Sequence, residues 1–367
     1  MSDFNLSKMA VNMFYPGNVI QQDDAGLPSV LVWIPAFKLS DVLTGGDDSI
    51  HPAFIVNGKQ IPGFYYSKYQ NIVYNGKAYS LPGENPQVNV TWDDSRKYSE
   101  GKGYGWHMST AVEWAAITLW CRRNLTMPYG NNNAGKDSRE TEYKAIGVDV
   151  PSTGVISKVA TGTGPLTWSH DGTPSGIWDM NGNVWEWQSG IRFVWGELQI
   201  LANNDAADPD NPQNATSTCW KAINAADGSL VVPECKTTDT AVKATGNTVK
   251  LDYLNGVWTY STGISNADIN SRSCQFNKIT FTDEISEAAR TLLLALALIP
   301  VPNINSEVYG KDAVWMANGA AERLVARGGA SGYSEGAGVF SMLGHLDRTS
   351  KYTAYGFRSV YIPNISE

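Results

Sequence analysis

Four cysteines (Cys121, Cys219, Cys235, Cys274) and four histidines (His51, His107, His170, His345) are the groups in this chain best suited to nucleophilic, redox or metal chemistry. Their spacing argues against most of it. No CxxC pair is present, so a zinc ribbon is not expected, and no HxxxH or HExxH pattern offers two imidazoles on one helical face. Cys219 and Cys235 are close enough in sequence to close a disulfide, and free buried thiols are the equal alternative. The other chemically marked residues are Asp179 and Glu186, either side of an Asn-Gly turn, and two arginines, Arg327 and Arg358, each next to glycine or an aromatic residue.

Composition narrows the function classes. Lys and Arg number 28 against 36 Asp and Glu, a net charge of −8, so there is no basic footprint for nucleic acid. Hydrophobic residues make up 42% and aromatic residues 11% of the 367-residue chain, enough to bury a large core. No basic segment leads into an apolar run at the N-terminus, so no signal peptide is expected. The strongest apolar stretch, Leu292 to Ile299, is far shorter than the ~20 residues of a membrane span. Without Pro-rich linkers or repeats, one elaborated domain is expected, in spite of a length that suits two or three.

Several elements must position these residues. Val30 to Tyr66 reads as β-rich. Thr91 with Asp94, and Thr110 with Glu113, are capping-box patterns, each opening a helix. The second helix is apolar on nearly every face and is expected to be buried. Ile285, Ala288, Ala289, Leu292, Leu293, Leu296 and Ile299 follow helical spacing up to Pro300. In GNVWEW, Trp185 and Trp187 alternate with Glu186, as in a strand with one aromatic face, and Asn181-Gly182 supplies the turn before it. Gly328 and Gly329 suit a close backbone approach. Arg327 and Arg358 are expected to be structural, paired with buried carboxylates such as Glu113 or Glu186.

The strings VNVTWDD (Val88–Asp94), STAVEW (Ser109–Trp114), GIWDMNGNVWEW (Gly176–Trp187), RGG (Arg327–Gly329) and GFR (Gly356–Arg358) occur in this order. Together with WIPAF (Trp33–Phe37) and HPAF (His51–Phe54), the pattern resembles the formylglycine-generating-enzyme domain. That resemblance implies an α+β fold, a C-type lectin fold of the formylglycine-generating-enzyme subtype, with long insertions and little regular secondary structure. Its expected limits are an N-terminal extension over 1–29, a single domain over 30–361 with an insertion at about 193–283, and a tail over 362–367.

Oxidase members of that family carry redox-active, copper-binding cysteines between RGG and GFR, whereas Arg327 to Arg358 contains no Cys. Related sulfoxide synthases use three histidines and a further helical domain, for which this chain has no counterpart. The same stretch, RGGASGYSEGAGVFSMLGHLDRTSKYTAYGFR, is similar to the variable region of proteins diversified by retroelements in phages, archaeal viruses and bacteria. AGVF (Ala337–Phe340), Arg348 and Gly356 fall in register, and no Asn occurs within the stretch. The resemblance implies a non-catalytic receptor- or ligand-binding protein, at a virion or cell surface, whose partner is a protein or glycan. Its implied display positions are Ala330, Ser331, Gly332, Tyr333, Glu335, Ser341, Leu343, His345, Leu346, Asp347, Tyr352, Ala354 and Tyr355, with Tyr333, Tyr352 and Tyr355 as anchors. Gly338, Val339, Phe340, Gly356 and Phe357 would pack the segment onto the core. No cofactor is required on this reading, and no assembly state is implied. Family likeness further implies a possible structural Ca²⁺, held by the side chains of Asp179 and Glu186 and the carbonyls of Gly182 and Val184. The alternatives are a metal-dependent oxidase of the family's enzymatic kind and a calcium-dependent lectin.

Overall fold

The computed structural model describes residues 3–363. Its smaller main sheet has five strands, in the order Asn18–Gln22, Pro28–Pro35, Gly63–Ser67, Ser359–Tyr361, Trp106–Met108. The strand near the C-terminus lies between two strands from the first third of the chain, with Val360 opposite both Tyr66 and His107. Residues 18–22 fall inside the stretch read as an N-terminal extension, yet they form the sheet edge, Asn18 opposite Val32. Ahead of them runs a helix, Asp3–Phe14. Of the expected tail, residues 364–367 lie outside the described residues, and Ile362 is buried.

The larger sheet has twelve strands and is organised around Trp185–Val194. That strand pairs antiparallel with Glu197–Ile200 and Arg323–Gly328, and parallel with Tyr355–Phe357. Gly338–Leu346 lies beyond Arg323–Gly328, and Ala313–Met316 lies beyond that. The segment read as an insertion lengthens this sheet. Its strands Lys221–Ile223, Leu230–Val231, Lys250–Leu254, Val257–Ser261, Arg272–Gln275 and Thr280–Phe281 all pair into it.

Both capping boxes form. Thr91 Oγ1 accepts from the Asp94 N–H and the Asp94 carboxylate accepts from the Thr91 N–H, opening the helix Trp92–Glu100. Thr110 and Glu113 do the same for Ala111–Asn124. This second helix is buried on nearly every face and is bolted to the large sheet by Trp114, whose Nε1 donates to Val339 O at 2.8 Å. The third helix spans Glu287–Ala295 and stops short of Pro300, because Ala297 takes a left-handed φ of 49°. Its final carbonyls find side-chain partners: His51 Nε2 lies 3.0 Å from Ala295 O, and Arg327 Nη2 donates to Leu296 O and Ala297 O.

Two points that the sequence left open are decided here. All four cysteines are free, Cys219 and Cys235 included. Glu113 pairs with neither arginine; His107 Nε2 (2.8 Å) and Asn204 Nδ2 (3.0 Å) meet its Oε1 instead. Among the described residues no helix is long and apolar enough to cross a membrane.

Trp114 is fully buried and joins the central helix to the sheet that bears the C-terminal segment. Trp114→Ala is expected to cost about 3–5 kcal/mol, read as a shift in the urea midpoint. A loss below about 1 kcal/mol would show that the helix does not brace the sheet.

Candidate ligand-binding surface

Arg327 to Arg358 folds as a loop, a long strand, a second loop and a short strand. Gly328 and Gly329 turn the chain out of Arg323–Gly328 with φ of 93° and 86°. A Cβ on Gly329 would sit 2.3 Å from that of Ala337, so only glycine closes this turn. The loop 330–337 follows, then Gly338–Leu346, which runs back along the strand it left, with Arg327 opposite Met342 and Ala326 opposite Leu343. The loop 347–354 leads to Tyr355–Phe357, laid parallel against Trp185–Trp187. Arg348 pins this second loop: it is bonded to both Glu322 oxygens, at 2.8 and 2.9 Å, and to Asp93 at 2.9 Å.

Along Gly338–Leu346 both faces are covered. Val339, Phe340 and Met342 join the main core, with Phe340 against Phe276 and Tyr309. Leu343 and Leu346 join a second core with Trp92, Trp185, Trp187, Leu324 and Phe357. Five of the expected display positions are therefore interior: Ala330, Ser341, Leu343, Leu346 and Tyr355 are all buried. The reason is the aromatic layer over this face, so a period-two alternation does not send every second residue to water. Ser341 instead donates from Oγ to Gly336 O at 2.6 Å. The continuous apolar run of this strand is the signal for burial on two sides.

The remaining positions lie on the two loops or beside them. Gly332, Glu335, Asp347 and Tyr352 are exposed, Tyr352 by 53%, and Ser331, Tyr333, His345 and Ala354 are half-buried. Asp347 is engaged with its own turn, accepting from the Thr349 N–H, Thr349 Oγ1 and Ser350 Oγ. Glu335 pairs with Lys311 at 2.5 Å.

Tyr333, Tyr352 and Tyr355 come together. Tyr333 meets Trp185 edge-on at 5.2 Å and Trp315 at 5.0 Å, and its phenol interacts electrostatically with that of Tyr355. Tyr355 lies 5.5 Å from Trp187 and 5.6 Å from Tyr352. The two loops thus meet through tyrosines over a tryptophan floor. Trp315, half-exposed and on the neighbouring strand, is a member of this surface that the sequence reading did not include. Such edge-on aromatic contacts hold rings in place while leaving part of each available to a ligand.

The expected calcium donors come together only in part. The carbonyls of Gly182 and Val184 and Glu186 Oε1 converge, joined by the main-chain oxygen of Asp179. The Asp179 side chain turns away, one oxygen accepting from the Gly162 N–H at 2.8 Å, and burial pushes its carboxyl up to about 6. At the point of convergence stands the side-chain nitrogen of Gln70, 3.0–3.4 Å from the four oxygens. Calcium needs six to eight oxygen ligands and most of its ligand charge from carboxylates. Here one carboxylate faces the point, and Arg358 already holds it through two bonds of 2.7 and 3.0 Å. The residues do not fit the ion.

Arg358 pairs with Glu186 as the sequence implied, whereas Arg327 meets no carboxylate. Arg327 is fully buried, and burial brings its guanidinium down to about 10. Thiol chemistry is disfavoured at three of the four cysteines. Burial pushes the Cys121 thiol well above the usual range, Cys235 up to about 12 and Cys274 upward, so none is a thiolate near neutral pH. His51, down to about 3, and His170, down to about 4, stay neutral for the same reason. Among the described residues no group of three His, Cys, Asp or Glu side chains is placed to hold a metal.

Comparison with known proteins gives one family match. A profile of the FGE-sulfatase family, described as the sulfatase-modifying factor enzyme 1-like domain, matches residues 15–199, about half of the chain. No curated protein matches. Among solved structures, PvdO from Pseudomonas aeruginosa is similar at 13% identity and TM-score 0.38, over 94% of this chain and 98% of its own. The Major Tropism Determinant P3c variant is similar at 9% identity and TM-score 0.28, over 94% of this chain and 71% of its own. Treponema denticola variable protein 1 is similar at 11% identity and TM-score 0.30, over 95% of this chain and 100% of its own.

A buried carboxyl behind the first loop sets a pH dependence. Asp312 borders a cleft of about 330 Å³ with Arg139, Lys311, Glu335 and Gly338. It accepts from the Phe340 N–H at 2.8 Å, and burial pushes it up to about 8 from 3.8. The native state holds this proton while the unfolded chain has lost it, so stability falls as pH rises through that window. Below about pH 6.5 the buried, neutral His51 and His170 oppose the effect, since an unfolded histidine then takes up a proton. From pH 6.5 to 8 Asp312 should therefore contribute a loss on the order of 1 kcal/mol, set against the buried Lys102, held well below its usual value, and Lys68, brought down to about 8, whose shifts act in the opposite direction. Asp312→Asn should remove that contribution from denaturation curves taken across that range; an unchanged slope would assign it to another group.

Proposed function

The chain belongs to the sulfatase-modifying factor enzyme 1-like family, and on that premise we propose that it is a non-catalytic, ligand-binding member whose C-terminal surface is diversified by a retroelement. The observation that carries this reading is the Cys-free segment Arg327–Arg358, whose two loops meet through Tyr333, Tyr355 and Tyr352 over fixed tryptophans. Its partner is a protein or glycan on a target surface, and the chain works at a virion or cell surface. Tyr352, half-buried Tyr333 and Trp315 provide large contact area at small entropic cost.

Oxidase chemistry of the family's enzymatic kind needs a thiolate within reach of the substrate. The segment that would supply it has none, and three of the four thiols elsewhere are held protonated by burial. The diversification itself is supported by the RGG, AGVF and GFR register and by the missing asparagines.

Two experiments test the proposal separately. Sequencing around the gene should find a near-copy of the segment encoding residues 327–358 beside a reverse-transcriptase gene, differing mainly at adenines. Absence of such a copy removes diversification and leaves ligand binding standing. Incubation with copper, oxygen and a cysteine-containing peptide should give no aldehyde by mass spectrometry. Turnover that follows enzyme concentration would restore the oxidase reading.

A further inference from the structure

We propose that the side-chain amide of Gln70 permanently takes the place of a structural cation at the turn before Trp185, so that this turn is organised without metal. Gln70 is fully buried. Its Nε2 donates toward Asp179 O (3.1 Å), Gly182 O (3.4 Å), Val184 O (3.2 Å) and Glu186 Oε1 (3.0 Å). Four oxygens around one point would ordinarily repel, and the amide's two protons supply the positive end that holds them together.

The orientation of that amide is set by its neighbours. Gln70 Oε1 accepts from Asn183 Nδ2 at 2.9 Å. Asn183 cannot turn over without loss, because its Oδ1 accepts from the Val159 N–H (2.9 Å) and from Asn131 Nδ2 (3.1 Å). A backbone N–H only donates, so the chain of bonds from Val159 through Asn183 fixes Nε2 as the group facing the four oxygens. Asn131 is held in turn, its Oδ1 accepting from the Gly135 N–H at 2.7 Å.

Charge balance points the same way. Glu186 is the one carboxylate facing the point, and Arg358 neutralises it. An added divalent ion would meet a site whose formal charge is already zero, with a guanidinium beside it. A neutral amide adds no charge. A further consequence, which rests on the proposed function, is that ligand binding by the neighbouring loops is insensitive to chelators.

The test compares the wild-type chain with Gln70→Glu in thermal melts, with EDTA and with millimolar Ca²⁺. Wild type is expected to melt at one temperature under both conditions and to carry no stoichiometric calcium by elemental analysis. Gln70→Glu removes the donor and adds a second carboxylate, so its Tm should fall by about 5 °C or more and Ca²⁺ should restore a large part of it. Calcium at one ion per chain in the wild type, or a lower wild-type Tm in EDTA, overturns the proposal. So does a folded Gln70→Glu chain that ignores Ca²⁺. Where that variant fails to fold, the wild-type metal content and chelation melts decide alone.

Discussion

The buried pair of Arg358 and Glu186 is the joint on which the rest of the structure depends. Both side chains are fully buried, a placement that costs several kcal/mol per ion, by order of magnitude, unless every hydrogen-bonding position is answered. Here the answer is complete for the guanidinium. Nε and Nη2 hold the two oxygens of Glu186, Nη2 also reaches Trp178 O, and Nη1 reaches Ser67 O and Lys68 O. Those partners come from the small sheet, the glycine-rich stretch before GNVWEW and the central strand of the large sheet. One side chain therefore fixes how the two sheets meet.

The strand that carries Glu186 is used on both faces. Glu186 points to the joint, while Trp185 and Trp187 point the other way and build the second core beneath the C-terminal loops. Its backbone is held from both sides as well, antiparallel by Ala326 and Arg327 and parallel by residues 355–357. The far end of the loop 347–354 is thus anchored to the strand that holds the ion pair, its near end leaves a strand paired with Arg323–Gly328, and Arg348 ties its start to Glu322 and Asp93. Rigid supports of this kind let a loop surface carry recognition without reshaping the core.

Much of this was legible in the sequence where the cause is local. Thr91 with Asp94 and Thr110 with Glu113 announce helix starts because capping acts across three residues. The alternation in GNVWEW announces its strand, and glycines 328 and 329 announce the turn. Contacts across long separations were not legible. Gln70 lies far upstream of the turn it organises, and nothing in YSKYQN marks its amide as a stand-in for a cation. Arg327 looked like Arg358 on paper; its partners are the end carbonyls of a helix, set by where Ala297 turns that chain. Burial of the display positions was hidden for a related reason: whether a strand's second face is wet depends on what covers it.

That covering narrows how the proposed surface works. Leu343, Leu346 and Tyr355 are packed among tryptophans, so replacement there changes a core volume, and a polar or charged side chain would be buried without a partner. Gly332, Glu335 and Tyr352 meet no such constraint, and half-buried Tyr333 and His345 stand between the two cases. A surface built this way divides its positions by consequence. Exposed loop positions alter contacts directly, whereas interior ones alter the height and tilt of the rings above them. On the proposed reading, variation at Tyr355 would act on a ligand through Tyr333 and Tyr352, which it touches, and would be limited by what the tryptophan floor accepts. The same floor that gives the loops their rigidity therefore sets the range of side chains they can present.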